Sequence, residues 1–186
     1  PGGGDSAALA QQALDFIAEG VLLVDERGMV KFANPAAARM TGYDVPQNIT
    51  GLDYQLVIRL ETAEQVPVEP TQSPLYTAIM TNQPLSTRDY ILVSAQNEHR
   101  VAVALACIPT GGTHADRIIT FRDITKELAE ENEQAEFIST ASHEMRTPVA
   151  SIEGYLGLAL NEQTATIDSR ARQYLEAAHA ASQHLG

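Results

Sequence analysis

The sequence has few of the residues and patterns that mark several classes of protein. It holds one cysteine, Cys107, so we expect no disulfide framework, no cysteine-bound metal and a reducing compartment. Its apolar runs fall short of the roughly 18 residues that cross a bilayer, and no secretory signal opens the chain. Cys107 lies in the apolar run VAVALACI, which favours a small, buried core residue.

Basic residues are also scarce. The chain has 12 lysines and arginines against 24 acidic residues, a formal net charge of −12. Because nucleic-acid surfaces need clustered basic side chains to neutralise phosphates, we expect no nucleic-acid partner. The apolar fraction of 44% and the charged fraction of 19% are typical of a globular protein.

Residues 12–125 alternate short apolar runs with turns. GVLLV and MVKFAN flank the turn DERG and predict two strands. In NPAAARMTG, Asn34 suits an N-cap, Pro35 the first helical position and Gly42 the exit, which predicts a short helix. The looser region 43–86 should include a helix around SPLYTAIMTN.

Three further strands are predicted in TRDYILVS, RVAVALACI and RIITFRDI, which are separated by turn-forming loops. Two strands, small helices and three more strands favour an α+β domain with an antiparallel sheet that is covered on one face. Residues 1–11, with the start PGGGDSAA, are expected to be a linker or a remnant of cloning.

After residue 125 the apolar period becomes that of a helix. In alternating steps of four and three residues, nine of eleven positions are apolar. The positions are Ile124, Leu128, Glu131, Ala135, Ile138, Ser142, Met145, Val149, Ile152, Leu156 and Ala159. A second series comprises Ile167, Ala171, Tyr174, Ala178, Ala181 and Leu185. Since a hairpin of two such helices cannot enclose a core alone, we expect a homodimer with a four-helix bundle.

The segment FISTASHEMRTPVASIEGYL, residues 137–156, concentrates reactive side chains on the first of these helices. Relative to the apolar seam, His143 and Thr147 point away and neighbour one another at a spacing of four residues. Glu144 lies about 100° round the helix from His143. Pro148 lacks the N–H that would bond the carbonyl of Glu144, so the backbone is loosened there. This pattern predicts a solvent-facing nucleophile on a deformable helix.

Two enzyme classes fit poorly. HEMRT begins like the zinc motif H-E-x-x-H, but Thr147 stands where the second histidine must be, so no metal site is expected. A serine hydrolase would need a G-x-S-x-G turn, which the chain does not contain. An exposed histidine on a coiled coil without a chemical role leaves Glu144, Thr147 and Pro148 unexplained.

The segment from Ser142 to Pro148 resembles the H-box of sensor histidine kinases, S-H-E-x-R-T-P. GVLLVDERGMVKFANPAAARMTGY and FRDIT resemble the opening and closing segments of a PAS sensor domain. The resemblance implies a PAS domain over 12–125, a signalling coiled-coil helix over 126–136 and a dimerisation and phosphoacceptor domain over 137–186. The second helix of that last domain is expected to be truncated.

The resemblance also implies residue roles. His143 would accept a phosphoryl group, Glu144 would orient the imidazole and act as general base, and Thr147 would position water for dephosphorylation. Pro148 would be the bending point. For Arg146, a solvated charge beside the seam is as good an interpretation as a role in contacting phosphate.

Asp123 and Thr125 would join the last strand of the sheet to the signalling helix, although a helix cap explains either residue equally well. The five glutamates of 127–136, a solvated helix face in the plainest interpretation, would keep the coiled coil marginal.

Similarity to this family implies partners that the chain itself does not supply. ATP and Mg²⁺ would bind a separate downstream domain, for which no glycine-rich boxes are found before Gly186. The phosphoryl group would pass to the receiver domain of a response regulator. We expect a cytoplasmic location, with membrane attachment only through an anchor upstream of residue 1. A non-catalytic PAS module for dimerisation and docking is the alternative, and the HEMRTP string argues against it.

The ligand of the PAS domain stays unknown. PAS domains of this kind bind haem, flavins or metabolites, or bind nothing. The helix after Asn34 lacks the cysteine of the flavin-adduct class, residues 72–83 lack a haem-ligating histidine, and the chain has no tryptophan for flavin stacking. We therefore expect neither haem nor a covalently bound flavin.

Overall fold

A computed structural model describes residues 3–111 and 116–183, which form two compact units that divide between Leu128 and Ala129. The helices are α1 Gly3–Phe16, α2 Pro35–Thr41, α3 Tyr54–Val57, α4 Pro74–Thr81, α5 Thr125–Leu160 and α6 Ser169–Gln183. The strands are β1 Gly20–Val24, β2 Val30–Ala33, β3 Arg59–Thr62, β4 Leu85–Val93, β5 Arg100–Pro109 and β6 Arg117–Asp123.

The six strands form one antiparallel sheet in the order β2-β1-β6-β5-β4-β3. The first and last strands of the unit, β1 and β6, are therefore direct neighbours in the middle of the sheet. Val21 pairs with Thr120 and Gly20 with Phe121. This topology brings the entry to the unit and its exit onto adjacent strands.

Among the described residues, the core packs against one face of the sheet, as the sequence predicts. Burial alternates along β5, where Val103, Leu105 and Cys107 point into the core. Helices α2, α3 and α4 contribute Ala37, Val57, Leu75 and other apolar side chains to the same core. On the opposite face, the side chains of Ile108 and Ile118 remain exposed. The predicted fold class of an antiparallel sheet with small helices on one side is confirmed.

The caps of α2 match the prediction. The side chain of Asn34 accepts a hydrogen bond from Ala37 N, and Pro35 opens the helix. Gly42 ends it with φ +87°, in the left-handed region that glycine favours. A Cβ at this position would clash with the Ser94 hydroxyl oxygen and lie 3.0 Å from the backbone nitrogens of Ala95 and Gln96, so the packing also disfavours a larger residue.

Three elements of the first unit were not predicted. Strand β3 and helix α3 fall in the region 43–86, and each has four residues, too few for a recognisable period. Helix α1 covers residues 3–16, although residues 1–11 are predicted as a linker. Its sequence SAALAQQALDF is rich in alanine, leucine and glutamine, which are strong helix formers. The glycines at the start of the chain favoured a linker instead.

The second unit contains the rest of α5 and helix α6, consistent with the predicted helical hairpin. The guanidinium of Arg172 donates to the Leu160 carbonyl at 3.0 Å, which satisfies one of the free carbonyls at the end of α5. Asp168 caps α6 by accepting from the amides of Arg170 and Ala171 at 2.9 Å each. Leu185, the last position of the predicted second seam, lies outside the described residues.

Candidate functional site

His143 lies near the middle of α5, on a face that is open to solvent. Its neighbours Glu144 and Thr147 are exposed as well. In the part of the chain that the structure describes, the imidazole of His143 and the carboxylate of Glu144 make no side-chain hydrogen bond. Both groups are therefore accessible to an incoming reactant, and the orienting contact predicted for Glu144 is not present in this conformation.

The helix around His143 is continuous and contains the predicted proline. Pro148 lies inside α5, so the Glu144 carbonyl receives no N–H from the residue four positions later. Two serine hydroxyls donate to nearby carbonyls, Ser142 to Ile138 at 2.8 Å and Ser151 to Thr147 at 3.0 Å. Such bonds to the residue four positions earlier often bend helices. Three features that favour helix bending thus lie near His143.

The apolar seam of α5 is largely uncovered in the single chain. Ile138, Met145 and Ile152 are 56%, 62% and 51% exposed. On α6 the half-buried face includes Ala171 and Leu175, whereas the predicted seam residue Tyr174 is 65% exposed. Seam positions that stay exposed in one chain form an apolar face that a second chain could cover.

Asp123 and Thr125 lie where β6 becomes α5, away from His143 along the chain. The Asp123 carboxylate accepts from Thr125 N at 2.9 Å, and the Thr125 hydroxyl accepts from Ala102 N at 3.0 Å. The amide of Ile124, which is fully buried, donates to the Ala102 carbonyl at 2.8 Å. Ala102 on β5 therefore holds the junction through both of its backbone groups.

An ion pair between Arg122 and Glu127 also spans this junction and was not predicted. Arg122 belongs to β6, and Glu127 lies in the first turn of α5. An acidic residue in the first turn is favourable near the helix dipole whatever its partner, so no sequence pattern pairs these two residues. Both side chains are about half exposed, so the pair contributes little to stability by itself.

The first unit has a cavity of about 350 Å³ beside the edge strand β3. Its lining includes Tyr54, Arg59, Glu61, Glu69, Ser73 and Val93. Glu61 is 7% exposed, and Arg100 donates to it at 2.8 and 3.1 Å. These hydrogen bonds lower the pKa of Glu61 below its ordinary value. The volume falls within the range of small-molecule sites.

Cys107 is fully buried in β5, as predicted. Burial raises the pKa of the Cys107 thiol above its ordinary value, so the neutral thiol is favoured over the reactive thiolate. Within 3–111 and 116–183, no three histidine, cysteine, aspartate or glutamate side chains cluster in a way that could hold a metal ion. None of the helices described combines the length and apolar composition that a bilayer crossing requires.

Comparison with protein families identifies two domains in the chain. The family described as "His Kinase A (phospho-acceptor) domain" matches residues 133–186. The family described as "PAS domain" matches residues 8–71. The first match contains the predicted H-box, and the second contains β1, β2 and α2.

Relatives and a solved structure agree with this division. The chain is 25% identical over 151 residues to the alginate biosynthesis sensor protein KinB of Pseudomonas aeruginosa, a match over 77% of this chain and 23% of KinB. It is 24% identical over 165 residues to the sensor protein kinase WalK of Staphylococcus aureus, over 87% of this chain and 36% of WalK. The chain thus spans a quarter to a third of these relatives.

The first unit also resembles a solved PAS domain from Colwellia psychrerythraea. The TM-score is 0.51 at 18% identity, over 66% of this chain and 99% of that domain. At this identity the likeness concerns the fold alone.

Proposed function

Because the chain consists of a PAS domain followed by a histidine kinase phospho-acceptor domain, we propose that it is the sensor and phosphoacceptor portion of a two-component histidine kinase. In this proposal the parent enzyme autophosphorylates on His143 with ATP. The phosphoryl group then passes to an aspartate of a response regulator, and the PAS domain controls both steps.

One observation carries the proposal: the H-box from Ser142 to Pro148 presents His143 to solvent. The apolar seam residues Met145 and Ile152 occupy a different face of the same helix. A second copy of the chain can therefore cover the seam without covering the histidine. A helix that served only for docking would need neither a histidine at this position nor the adjacent glutamate.

The first chemical step would form one bond and break another. A neutral ring nitrogen of His143 attacks the γ-phosphorus of ATP, an N–P bond forms, and the bond to the leaving ADP oxygen breaks. The proton on the other ring nitrogen moves to the carboxylate of Glu144, which acts as general base. A rotamer change at Glu144 is required, because the two side chains are not hydrogen-bonded in this conformation.

Transfer and dephosphorylation would use the same face. An aspartate oxygen of the regulator attacks the phosphorus, the N–P bond breaks, and Glu144 returns the proton to the imidazole. When the kinase instead dephosphorylates the regulator, Thr147 would orient a water for hydrolysis of the regulator's acyl phosphate. Exposed side chains on the next turns of α5, Tyr155 at 74% and Leu158 at 55%, offer an apolar surface on which the receiver domain could dock.

The ATP-binding part would be a separate domain, since the two family matches concern a phospho-acceptor domain and a PAS domain. This chain alone should then be inactive with ATP. The exposed seams of α5 and α6 support a homodimer with a four-helix bundle, in which the ATP-binding domain of either protomer reaches His143. We further propose a cytoplasmic location for this portion, with membrane attachment only through a segment outside the chain.

For the sensor domain we propose neither haem nor a covalently bound flavin. The neutral, fully buried thiol of Cys107 is poorly suited to form a flavin adduct. A small metabolite in the cavity beside Glu61, or no ligand, fits the sensor equally well.

The proposal is tested with the parent protein extended through its ATP-binding domain. After incubation with γ-labelled ATP, we expect a label on the wild type that acid removes and alkali preserves, as for a phosphoramidate. His143→Gln should carry no label. His179→Gln, on α6, is the matched control and should label normally.

Two results would contradict this account. Label that survives the His143→Gln substitution would place the phosphoryl group elsewhere. No label from a folded protein that binds ATP would instead favour the non-catalytic docking module.

A further inference from the structure

The side-chain amide of Asn34 uses all of its hydrogen-bonding groups to join separate segments of the first unit. Its oxygen accepts from Val21 N and Ala37 N, at 2.9 Å each. Its nitrogen donates to the carbonyls of Leu14 at 3.1 Å and Glu19 at 2.9 Å. Asn34 is fully buried, so water cannot replace these bonds. One residue thus connects the end of α1, the start of β1 and the first turn of α2.

Most side chains of helix α1 that the structure describes are exposed. From residue 8 onward its side chains are exposed, apart from the half-buried Leu14. Phe16, at its last position, is 91% exposed. A groove of about 410 Å³ runs between the helix and the sheet unit, lined in part by Gln11, Asp15, Lys31 and Pro35. The bond from Asn34 to the Leu14 carbonyl therefore lies near the C-terminal end of a helix whose side chains, from residue 8 onward, are mostly exposed.

The same asparagine also binds β1, the strand beside β6, and β6 leads out of the unit. Its backbone amide donates to the Val21 carbonyl at 3.1 Å, while Val21 N donates to its side chain. Val21 pairs with Thr120 on β6. Strand β6 ends at Asp123, and α5 begins at Thr125. Hydrogen bonds of Asn34 thus join α1 to β1, and β1 pairs with β6, the strand that leads into α5.

We infer that Asn34 is the coupling residue through which α1, as an input helix, biases the first turn of α5. Displacement of α1 withdraws the Leu14 carbonyl from Asn34 and weakens the two hydrogen bonds between Asn34 and Val21. The pairing of β1 with β6, the strand that leads into α5, then changes. Among side chains of this length, only that of asparagine provides both two hydrogen-bond donors and an acceptor. An aspartate would keep the acceptor but face two carbonyls with a carboxylate. The PAS domain could then relay a signal from upstream without a ligand in its core.

The inference concerns the input to the domain, which the proposed function leaves open. Its test is amide hydrogen exchange, measured by NMR on the 186-residue chain without ATP. Failure here is therefore distinguishable from failure of the kinase proposal. The perturbation is Ala10→Pro, which breaks α1 at an exposed interior position, and Ala10→Ser is the matched control.

Coupling predicts a specific pattern of exchange. Ala10→Pro should speed exchange of the amides of residues 121–128 by roughly two- to tenfold, the loosening expected when a hydrogen bond is lost. Asn34→Asp should produce the same change, and adding Ala10→Pro to it should have no further effect. Asn97→Asp, where only the amide oxygen accepts a bond, controls for the added charge.

Asn34→Ser serves if the aspartate variant does not fold, because serine retains the cap of α2 but has no second donor. The inference is overturned if Ala10→Pro leaves exchange at residues 121–128 unchanged. It is equally overturned if Ala10→Pro acts as strongly with Asn34→Asp or Asn34→Ser as without them, because the signal would then bypass Asn34.

Discussion

The hydroxyl of Thr125 offers a direct way to weaken the junction between the sheet and helix α5. Thr125→Val keeps the shape of the side chain and removes the acceptor for Ala102 N, which lies 3.0 Å away. Loss of one such hydrogen bond costs about 0.5–1.5 kcal/mol. Because 1.4 kcal/mol corresponds to a factor of ten, we expect the amide of Ala102 to exchange roughly two- to twelvefold faster.

Exchange of the Ala102 amide is measured by NMR in three variants. Thr125→Ser retains the hydroxyl, so its rate should stay close to that of the wild type. Thr120→Val makes the same change on β6, at a hydroxyl without a hydrogen bond among the described residues, and should also leave the Ala102 rate unchanged. The valine variant alone should differ.

Two results would refute this account of the junction. An unchanged Ala102 rate in Thr125→Val would mean that the hydroxyl does not protect this amide. Equal acceleration in the valine and serine variants would mean that the methyl packing of the threonine matters rather than its oxygen. If the bond does couple the domains, the valine variant of the extended kinase should also respond less to changes in the PAS domain.

Three further perturbations test the packing of the first unit and the assembly of the second. Gly42→Ala should lower the free energy of unfolding by about 2–4 kcal/mol, because it adds backbone strain and a clash with the nearby serine hydroxyl. Gly51→Ala, which has open space around it, should lower it by about 1 kcal/mol. Equal losses in urea denaturation would contradict the clash. The bonds from Arg100 stabilise ionised Glu61, so the advantage in melting temperature over Glu61→Gln should be full above the ordinary pKa of 4.5 and shrink as pH falls below it; an advantage that does not shrink between pH 5 and pH 3 would contradict this linkage. Ile152→Glu should convert the proposed dimer to monomer in sedimentation velocity, and an unchanged dimer would place the interface elsewhere.

The elements that could be predicted from sequence are those whose signals are local. Helix α2 has an asparagine cap, a proline at its first position and a terminal glycine, and the structure confirms all three. The exposed position of His143 follows from the heptad period of its own helix. In each case residues near one another in the chain carry the information.

The features that could not be predicted depend on partners distant in sequence. Strand β3 forms because Arg59 to Thr62 pair with β4, a ladder between segments about 30 residues apart. The bidentate pair of Glu61 and Arg100 spans 39 residues. The four side-chain hydrogen bonds of Asn34 could not be predicted either, because its role as a helix cap accounts for only one of them. The contact proposed between Glu144 and His143 depends on rotamers, which no sequence period specifies.

The central claim is that His143 carries the phosphoryl group, and mapping the modified residue tests it most directly. The parent protein with its ATP-binding domain is phosphorylated, kept at neutral or alkaline pH, and fragmented by electron transfer in a mass spectrometer. Of the five histidines in this chain, only His143 should gain a phosphate, and an added receiver domain should remove it. A phosphate on another histidine, or on Ser142 or Thr147, would contradict the account.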